Sequence, residues 1–279
     1  MPPKSRRSGF PTVKVDLSDD YANSAYIDGA DDLPEIWAAE ALSFRTVEHA
    51  IGRARLNLPY GPMDRQALDL FLPAGTPQGL LVFVHGGYWM QCDRTDFSHF
   101  ARGATQAGWA VALPSYPLAP KARISAITQN IAQAVEHAAR LIAGPVIVAG
   151  HSAGGHLAAR MNCGDVALGA DLVQRICRII AISPLSDLRP LMQTAMNATL
   201  RLDKNEAAAE SPVLATRRRA IETLVCVGAE ERPAFLNQAL ALGDAWPEAE
   251  LHVAPGRHHF DILDLLLQPD GLILRRLST

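Results

Sequence analysis

Short apolar runs alternate with amphipathic helical segments along most of the chain. The clearest run is Leu80–Val84, which follows Gly79 and is ended by a His-Gly-Gly sequence. An apolar run bounded by glycine in this way indicates a buried strand. Five further runs follow, at residues 109–113, 146–149, 179–182, 224–227 and 251–253. Because they show almost no alternation with polar residues, we predict strands that are buried on both faces of a sheet.

Helical periodicity fills the stretches between the predicted strands. Apolar residues recur at spacings of three and four from Ile124 to Ala138 and again from Phe235 to Leu242, which is the period of one helix face. This order of strands and helices predicts an α/β fold with a mostly parallel central sheet and helices on both faces. Residues 54–58 and 67–72 alternate more and flank a turn signal, so we predict an antiparallel edge hairpin there.

Two segments depart from this rhythm. Residues 184–222 form a helical and loop insertion rich in Leu and Ala, and insertions of this length often act as lids over a site. The basic residues 1–20 are predicted to be a disordered tail, since the apolar stretch of a secretory signal does not follow them. We expect residues 21–279 to form a single domain.

The composition, charge and cysteine spacing indicate which classes of binding partner and which cellular location to expect. Of the 279 residues, 48% are hydrophobic and 20% charged, with a formal net charge of −3. This balance is typical of a globular protein and gives no electrostatic case for nucleic acid or an anionic membrane as a partner. The four cysteines are widely spaced, so we expect free thiols and a cytoplasmic location. We expect a small-molecule substrate and leave a homodimer open.

The sharpest chemical signal is the G-H-S-A-G sequence at Gly150–Gly154. It directly follows the predicted strand 146–149 and precedes a helical stretch, which is the setting of a nucleophile elbow. The glycines leave room for a turn that raises the hydroxyl of Ser152 above the sheet, and the N–H groups at the helix start face the reacting carbonyl. We therefore predict Ser152 as a nucleophile; the alternative is a glycine-rich turn with an incidental serine.

A second glycine-rich sequence, His85-Gly86-Gly87-Tyr88-Trp89, ends the predicted strand 80–84. Acyl transfer needs donors for the developing oxyanion, and a loop of this kind supplies bare backbone N–H groups. We assign the oxyanion hole to the N–H of Gly87, with Tyr88 as a further candidate, together with that of Ala153. We expect His85 to hold the loop by a hydrogen bond. The alternative is a plain Gly-Gly turn.

Hydrolases with such an elbow place the acid and then the histidine after the serine along the chain. His258 and His259 follow the last predicted strand, and we choose His259 as the general base, with His258 as the alternative. For the acid that orients the imidazole we choose Glu231 in the loop after the preceding strand, with Glu230 second and Asp244 third. A solvated loop carboxylate is the alternative reading of either glutamate.

With these residues in place, the chain resembles the α/β-hydrolase superfamily and, within it, the kynurenine formamidase (arylformamidase) and HGGxW esterase branch. The resemblance covers residues 55–268, and a helical segment around Tyr21 to Phe44 is also similar. It is carried by the HGGYW and GHSAG sequences, by Ser-Pro-Leu-Ser-Asp-Leu at 183–188 and by His259-Phe260. The branch often has aspartate followed by Ser-Pro where this chain has Glu231-Arg232-Pro233.

The resemblance implies hydrolysis of an N-formyl arylamine such as N-formylkynurenine to formate and the free amine, without a metal or organic cofactor. The residues themselves favour a serine hydrolase that forms an acyl-enzyme on Ser152, acting on an aryl formamide or a small carboxylic ester. A general carboxylesterase would use the same residues. A non-catalytic ligand-binding protein is disfavoured by the intact serine and histidine.

Four large side chains have two interpretations at this stage. They are candidates for the walls of an acyl or aryl pocket, and they are equally suited to the core: Tyr88, Trp89, Met192 and Met196.

Overall fold

Eight strands form one sheet at the centre of the protein, for which a computed structural model describes residues 15–268 and 271–277. The strands lie in the order β1-β2-β4-β3-β5-β6-β7-β8. In chain order they are Ala54–Pro59 (β1), Ala67–Phe71 (β2), Leu80–Val84 (β3), Ala110–Pro114 (β4), Val146–His151 (β5), Ile176–Ile182 (β6), Glu222–Gly228 (β7) and Ala249–Ala254 (β8). The edge strand β1 pairs antiparallel with β2 and β2 antiparallel with β4, whereas the remaining pairs are parallel.

Helices connect most of these strands. The α-helices are Leu33–Ala50 (α1), Arg102–Gln106 (α2), Ile124–Leu141 (α3), Ala153–Arg160 (α4), Ala170–Arg175 (α5), Asn197–Leu200 (α6), Lys204–Ala209 (α7), Pro233–Ala245 (α8) and Leu272–Arg275 (α9). Short 3-10 turns lie at Asp19–Tyr21, Ser24–Tyr26, Arg94–Asp96, Ser98–Ala101, Pro190–Gln193, Pro212–Leu214 and Asp261–Leu266. None of the helices within the described ranges is long and apolar enough to cross a membrane.

Each face of the sheet packs against its own hydrophobic cluster. Side chains alternate across a strand, so Leu80 and Val82 of β3 join the cluster that contains α3, α4 and α8, whereas Leu81 and Phe83 join the cluster on the other face. The second cluster contains residues of α1, α2 and α9. The apolar runs without alternation predicted strands buried on both faces, and this prediction is confirmed for the runs in β3 to β7, as is the antiparallel hairpin of β1 and β2. It is wrong for the run at 251–253, because β8 is an edge strand of which only Ala254 is buried.

The N-terminal segment differs from its prediction as a tail ending at residue 20. Residues 1–14 lie outside the described residues, but the chain from residue 15 onward contacts the body of the protein. The N–H of Leu17 donates to the carbonyl of Gln193 at 2.9 Å, and the hydroxyl of Ser18 accepts from the N–H of Ala195 at 2.8 Å. Residues 15–20 are therefore not a free tail, because the insertion at 184–222 provides backbone partners for Leu17 and Ser18.

Buried histidines outside the catalytic loops link stability to pH. His156 of α4 is fully buried, its Nε2–H donates to the carbonyl of Glu210 at 2.7 Å, and Nδ1 has no partner among the described residues. Burial lowers the pKa of His156 to about 3, and burial lowers the pKa of His99 to about 4. Unfolding returns both to a pKa near 6.5, so the unfolded state binds more protons below that pH.

We expect the free energy of unfolding to be highest above pH 6.5 and to fall as the pH drops below 6.5, by roughly 1.4 kcal/mol per pH unit for each of the two histidines. Urea unfolding at pH 7.5, 6.5 and 5.5 measures this slope. The variant His156→Gln should lose about one histidine's share of the slope. An unchanged slope in that variant would show that the protonation of this ring in the unfolded state is not a source of acid destabilisation.

Candidate active site

The loops that carry the predicted chemistry meet at one edge of the sheet. The loops at residues 85–89 and 152–153 and those holding Glu231 and His259 each follow the carboxyl end of a parallel strand, namely β3, β5, β7 and β8. This edge is where open α/β sheets bind their ligands. Ser152, His259, Gly87 and Tyr88 line a common cavity of about 110 Å³ there.

Ser152 occupies a strained turn between β5 and α4. Its backbone has φ +58° and ψ −119°, and its N–H donates to the carbonyl of Ile182 at 2.8 Å. A Cβ on Gly150 would collide with the carbonyl oxygen of Gly154, so the turn can close this tightly only with glycine there. A non-glycine residue at positive φ persists only where the surroundings hold it. The predicted elbow geometry is therefore present.

The loop after β3 passes directly beside this serine. A Cβ on Gly86 would lie 3.1 Å from the Cβ of Ser152. Gly87, Tyr88 and Trp89 have consecutive φ values of +100°, +51° and +58°, and the N–H groups of Met90 and Gln91 donate to the carbonyl of Gly87 at 2.9 and 3.1 Å, so the loop forms a tight turn. The N–H of Ala153, at the start of α4, has no intrahelical partner. Gly87 and Tyr88 line the cavity together with Ser152, and Ala153 directly follows that serine at the start of α4.

His85 supports this loop. Its Nδ1–H donates to the carbonyl of Gly86 at 2.8 Å, and its ring is stacked on Tyr116 with centroids 4.4 Å apart. Burial lowers the pKa of His85 to about 4, so the ring stays neutral near pH 7. The hydroxyl of Tyr116 donates to the carbonyl of His85 at 2.9 Å. This is the loop-holding hydrogen bond expected of His85.

Glu231 and His259 form a buried pair. The Nδ1–H of His259 donates to Oε2 of Glu231 at 2.7 Å, and the Glu231 side chain is fully buried. The other carboxylate oxygen accepts from the N–H of Gly228 at 2.8 Å and from the hydroxyl of Ser183 at 2.5 Å. Because Nδ1 is held by the carboxylate, Nε2 is the ring nitrogen left to accept a proton.

The alternative candidates lie elsewhere. Glu230 and Asp244 are exposed, Asp244 on α8. Nδ1 of His258 accepts from the N–H groups of Phe260 and Asp261 at 3.1 and 3.2 Å, and His258 does not line the cavity. Among the candidates weighed from the sequence, the structure brings together His259 and Glu231.

Comparison with known proteins shows the family to which this chain belongs. A family model described as the alpha/beta hydrolase fold matches residues 81–257, which is more than half of the chain. The chain belongs to the α/β-hydrolase family. The predicted fold and family are confirmed, and the protein is a hydrolase.

Individual relatives can be aligned with most of this chain. The chain is 52% identical to a candidate thioesterase from Silicibacter sp. TM1040, whose crystal structure has a TM-score of 0.91 over 94% of this chain and 99% of that one. It is 25% identical over 263 residues to a kynurenine formamidase of Danio rerio, covering 89% of each chain. It is 27% identical over 240 residues to a kynurenine formamidase of Salmo salar, covering 80% of this chain and 81% of the relative.

Two supporting residues of this hydrolase escaped the sequence analysis. Ser183, at φ +47° just after β6, donates its hydroxyl to Glu231; the signal in the sequence that could have indicated it is the family resemblance of the Ser-Pro-Leu-Ser-Asp-Leu stretch that it begins. His151 is the variable residue of the elbow, and its Nε2–H donates to the carbonyl of His259 at 2.7 Å. Burial holds the pKa of His151 well below its usual value, so the ring is a neutral donor that ties the His259 loop to the elbow.

The cavity walls differ from those suggested by the sequence. Of the four large side chains with two interpretations, Tyr88 lines the cavity, Trp89 is fully buried in the core, and Met192 and Met196 pack against the core. The lining residues within the described ranges include none from the insertion at 184–222, so a lid role for it at this cavity is wrong. The N-terminal segment and α1 cover the site instead, through Asn23, Ser24 and Trp37.

The aromatic side of the cavity is formed by residues from separate elements. Trp37 of α1 lies 5.4 Å from Phe97 and 6.1 Å from Phe260, measured between ring centroids, and all three line the cavity. Tyr88 adds a fourth ring. Flat apolar walls of this kind suit a flat apolar group of a ligand.

Proposed function

We propose that this hydrolase cleaves aryl formamides through a formyl-enzyme on Ser152. The observation that carries the proposal is the buried hydrogen bond of 2.7 Å between Glu231 and His259 beside the strained Ser152, with His259 and Ser152 on one small cavity. A serine, an imidazole held in one tautomer by a carboxylate and free backbone N–H groups are the parts that acyl transfer requires.

Acylation follows from this arrangement. The Ser152 oxygen attacks the formyl carbon while its proton passes to Nε2 of His259, and Glu231 stabilises the resulting imidazolium. The carbonyl oxygen becomes an oxyanion that accepts hydrogen bonds from the N–H groups of Gly87 and Ala153. His259 then returns the proton to the leaving nitrogen, the C–N bond breaks, and the arylamine departs from a formyl ester on Ser152.

Deacylation repeats these steps with water. A water molecule attacks the formyl carbon and gives its proton to His259, and the C–O bond to Ser152 breaks as the imidazolium protonates the serine oxygen. The product is formic acid, which releases its proton to solvent as formate, and the serine is regenerated. Each half-reaction transfers one proton onto His259 and one off it, so the residues return to their starting state.

The kynurenine formamidase relatives support an aryl formamide as the substrate, because they match this chain over 80 to 89% of its length. The aromatic side of the cavity gives the aryl group a surface on which to pack. A volume of about 110 Å³ is below the roughly 300 to 1,000 Å³ of drug-sized ligand pockets. Both features favour a small acyl group on an arylamine.

A specific observation also favours a second candidate function, the hydrolysis of small carboxylic esters or thioesters. The relative at 52% identity is a candidate thioesterase, and its identity to this chain is about twice that of the formamidases. The same triad and oxyanion donors serve esters, thioesters and amides. The acyl and leaving groups then decide between the two functions.

A substrate panel tests the proposal. We expect kcat/KM for N-formylkynurenine and formanilide to exceed that for p-nitrophenyl acetate, p-nitrophenyl butyrate and phenyl thioacetate once values are corrected for the uncatalysed reaction. The ester with the longer acyl chain should be the poorer of the two, because the cavity is small. Turnover of the esters or the thioester without turnover of the formamides would contradict formamide hydrolysis and support the second candidate.

We also propose a cytoplasmic location. All four cysteines lie among the described residues as free thiols, and Cys177 is exposed. Thiols are kept reduced in the cytosol, whereas oxidising compartments favour disulfides. Cell fractionation with antibody detection tests this, and recovery of the protein outside the cytosolic fraction would contradict it.

A further inference from the structure

One buried polar side chain at the cavity makes no hydrogen bond within the described residues. Asn23 is only 6% exposed, and neither Oδ1 nor Nδ2 of its amide has a hydrogen-bond partner among the described residues. The same residue lines the cavity that holds Ser152 and His259. Nearly all buried polar groups in proteins are hydrogen-bonded, so a buried amide facing a catalytic cavity without a partner indicates that a ligand supplies one.

The segment that carries Asn23 is fixed independently of any substrate. Two residues earlier, the carbonyl of Tyr21 accepts from the hydroxyl of Tyr88 in the oxyanion loop at 2.6 Å. The hydroxyl of Tyr21 also accepts from Nε2 of Gln238 on α8 at 2.9 Å. The N–H of Tyr26 donates to the backbone carbonyl of Asn23 at 3.0 Å. The backbone that carries Asn23 is thus held beside the cavity by contacts with the oxyanion loop and with α8.

A further contact ties this segment to the acid loop. The guanidinium of Arg232, which follows Glu231 directly, pairs with the carboxylate of Asp19 at 2.7 Å and lies over the ring of Tyr26 at 3.7 Å. The segment is therefore anchored to both the oxyanion side and the acid side of the site. A binding group that is held in place before the substrate arrives loses little freedom on binding.

The other hydrogen-bond donors of the site limit which group of the substrate Asn23 can bind. The carbonyl oxygen of the substrate is taken by the backbone N–H groups of Gly87 and Ala153, so the polar group left at the reacting centre is the leaving atom. In a formamide this atom is a nitrogen that carries a hydrogen-bond donor, whereas in an ester it is an oxygen without one. Oδ1 of Asn23 is an acceptor to which no donor among residues 15–268 and 271–277 is hydrogen-bonded.

We propose that Oδ1 of Asn23 binds the N–H of the scissile amide and thereby gives the site its preference for amides over esters. The proposal rests on the proposed formamide hydrolysis. An ester would leave Oδ1 buried and unpaired, and a site built to bind a substrate N–H discriminates against the analogue that lacks it.

Two substrates that differ only at the leaving atom test this role. Formanilide and phenyl formate share the formyl and phenyl groups, and one has N–H where the other has oxygen. We expect Asn23→Leu to lower kcat/KM for formanilide by roughly 10- to 100-fold and for phenyl formate by less than about 3-fold. Asn237→Leu, the same substitution at an exposed residue of α8 outside the cavity lining, should change neither value.

A thermal unfolding measurement on the same variants separates binding from structure. Because the Asn23 amide has no partner in the part of the chain that the structure describes, Asn23→Leu should keep or raise the Tm. If it does not fold, Asn23→Ala removes the same polar atoms from a smaller side chain and carries the same expected ratio. Equal losses on both substrates together with a lowered Tm would overturn the proposal and assign Asn23 a structural role. An unchanged ratio of the two substrates would also overturn it.

The outcomes for the wild type are distinct from these. A wild type that cleaves phenyl formate but not formanilide would contradict the proposed formamide hydrolysis, and the role of Asn23 with it. A wild type that cleaves formanilide and whose preference survives in Asn23→Leu would contradict the role of Asn23 alone.

Discussion

Ser152→Ala is expected to lower kcat/KM for the preferred substrate by roughly 10⁴- to 10⁶-fold. The substitution removes the only atom that forms the covalent bond to the acyl group, while the oxyanion donors and the cavity walls stay in place. The residual rate should be close to the part of catalysis that these donors and binding supply. Steady-state kinetics on N-formylkynurenine, with enzyme at high concentration for the variant, measures the loss.

The fold should survive this change. Ser152 takes a strained backbone conformation, and alanine removes one hydroxyl and fills no new space. We therefore expect a Tm close to that of the wild type and loss of covalent labelling by an organophosphonate that reacts with active serines. Ser43→Ala, on the exposed side of α1, should label and turn over normally. Activity retained in Ser152→Ala would exclude this serine as the nucleophile.

His259→Ala should cost nearly as much as the serine variant, because the two residues act as a unit. Without the imidazole nothing accepts the serine proton, and Oε2 of the buried Glu231 loses the hydrogen bond from His259. The double variant Ser152→Ala/His259→Ala should be no slower than either single variant by more than a few-fold, since the second change removes nothing that still works. Single-turnover kinetics of the three proteins measures this non-additivity.

The neighbouring histidine provides the control. His258 has the same chemistry and adjoins His259 in sequence, but its Nδ1 accepts from the N–H groups of Phe260 and Asp261 outside the cavity. His258→Ala should therefore keep most of the activity and lose some stability of the loop. A loss in His258→Ala as large as that expected of His259→Ala would reverse the assignment of the base.

The sequence predicted the parts of this protein that are local. Strands β3 and β5 were recognisable because a strand buried on both faces needs an unbroken apolar run, and such a run is visible in one stretch of sequence. The elbow around Ser152 and the loop of Gly86 and Gly87 were recognisable for the same reason. Their geometry depends on glycines within a few residues of the functional group, so the pattern and the conformation lie in one place.

The tertiary structure decided what depends on residues far apart in sequence. The choice of Glu231 and His259 over their neighbours follows from the pairing of β7 with β8, which places Gly228 beside Ala254 and brings the two following loops together. Spacing alone left Glu230 and His258 open, because adjacent residues in a loop point in directions that the loop's own path determines.

Which segments cover the cavity also depends on the tertiary structure. The sequence suggested a lid from residues 184–222, whereas the cavity is covered by the N-terminal segment with Asn23 and by Trp37 of α1. The segment around Tyr21 to Phe44 resembles the family in sequence, but these residues lie outside the stretch 81–257 that the family model matches, and no local period marks them as functional. The role proposed for Asn23 follows from a side-chain amide that is buried without a hydrogen-bond partner among the described residues, and this can be recognised only when the positions of all neighbouring groups are known.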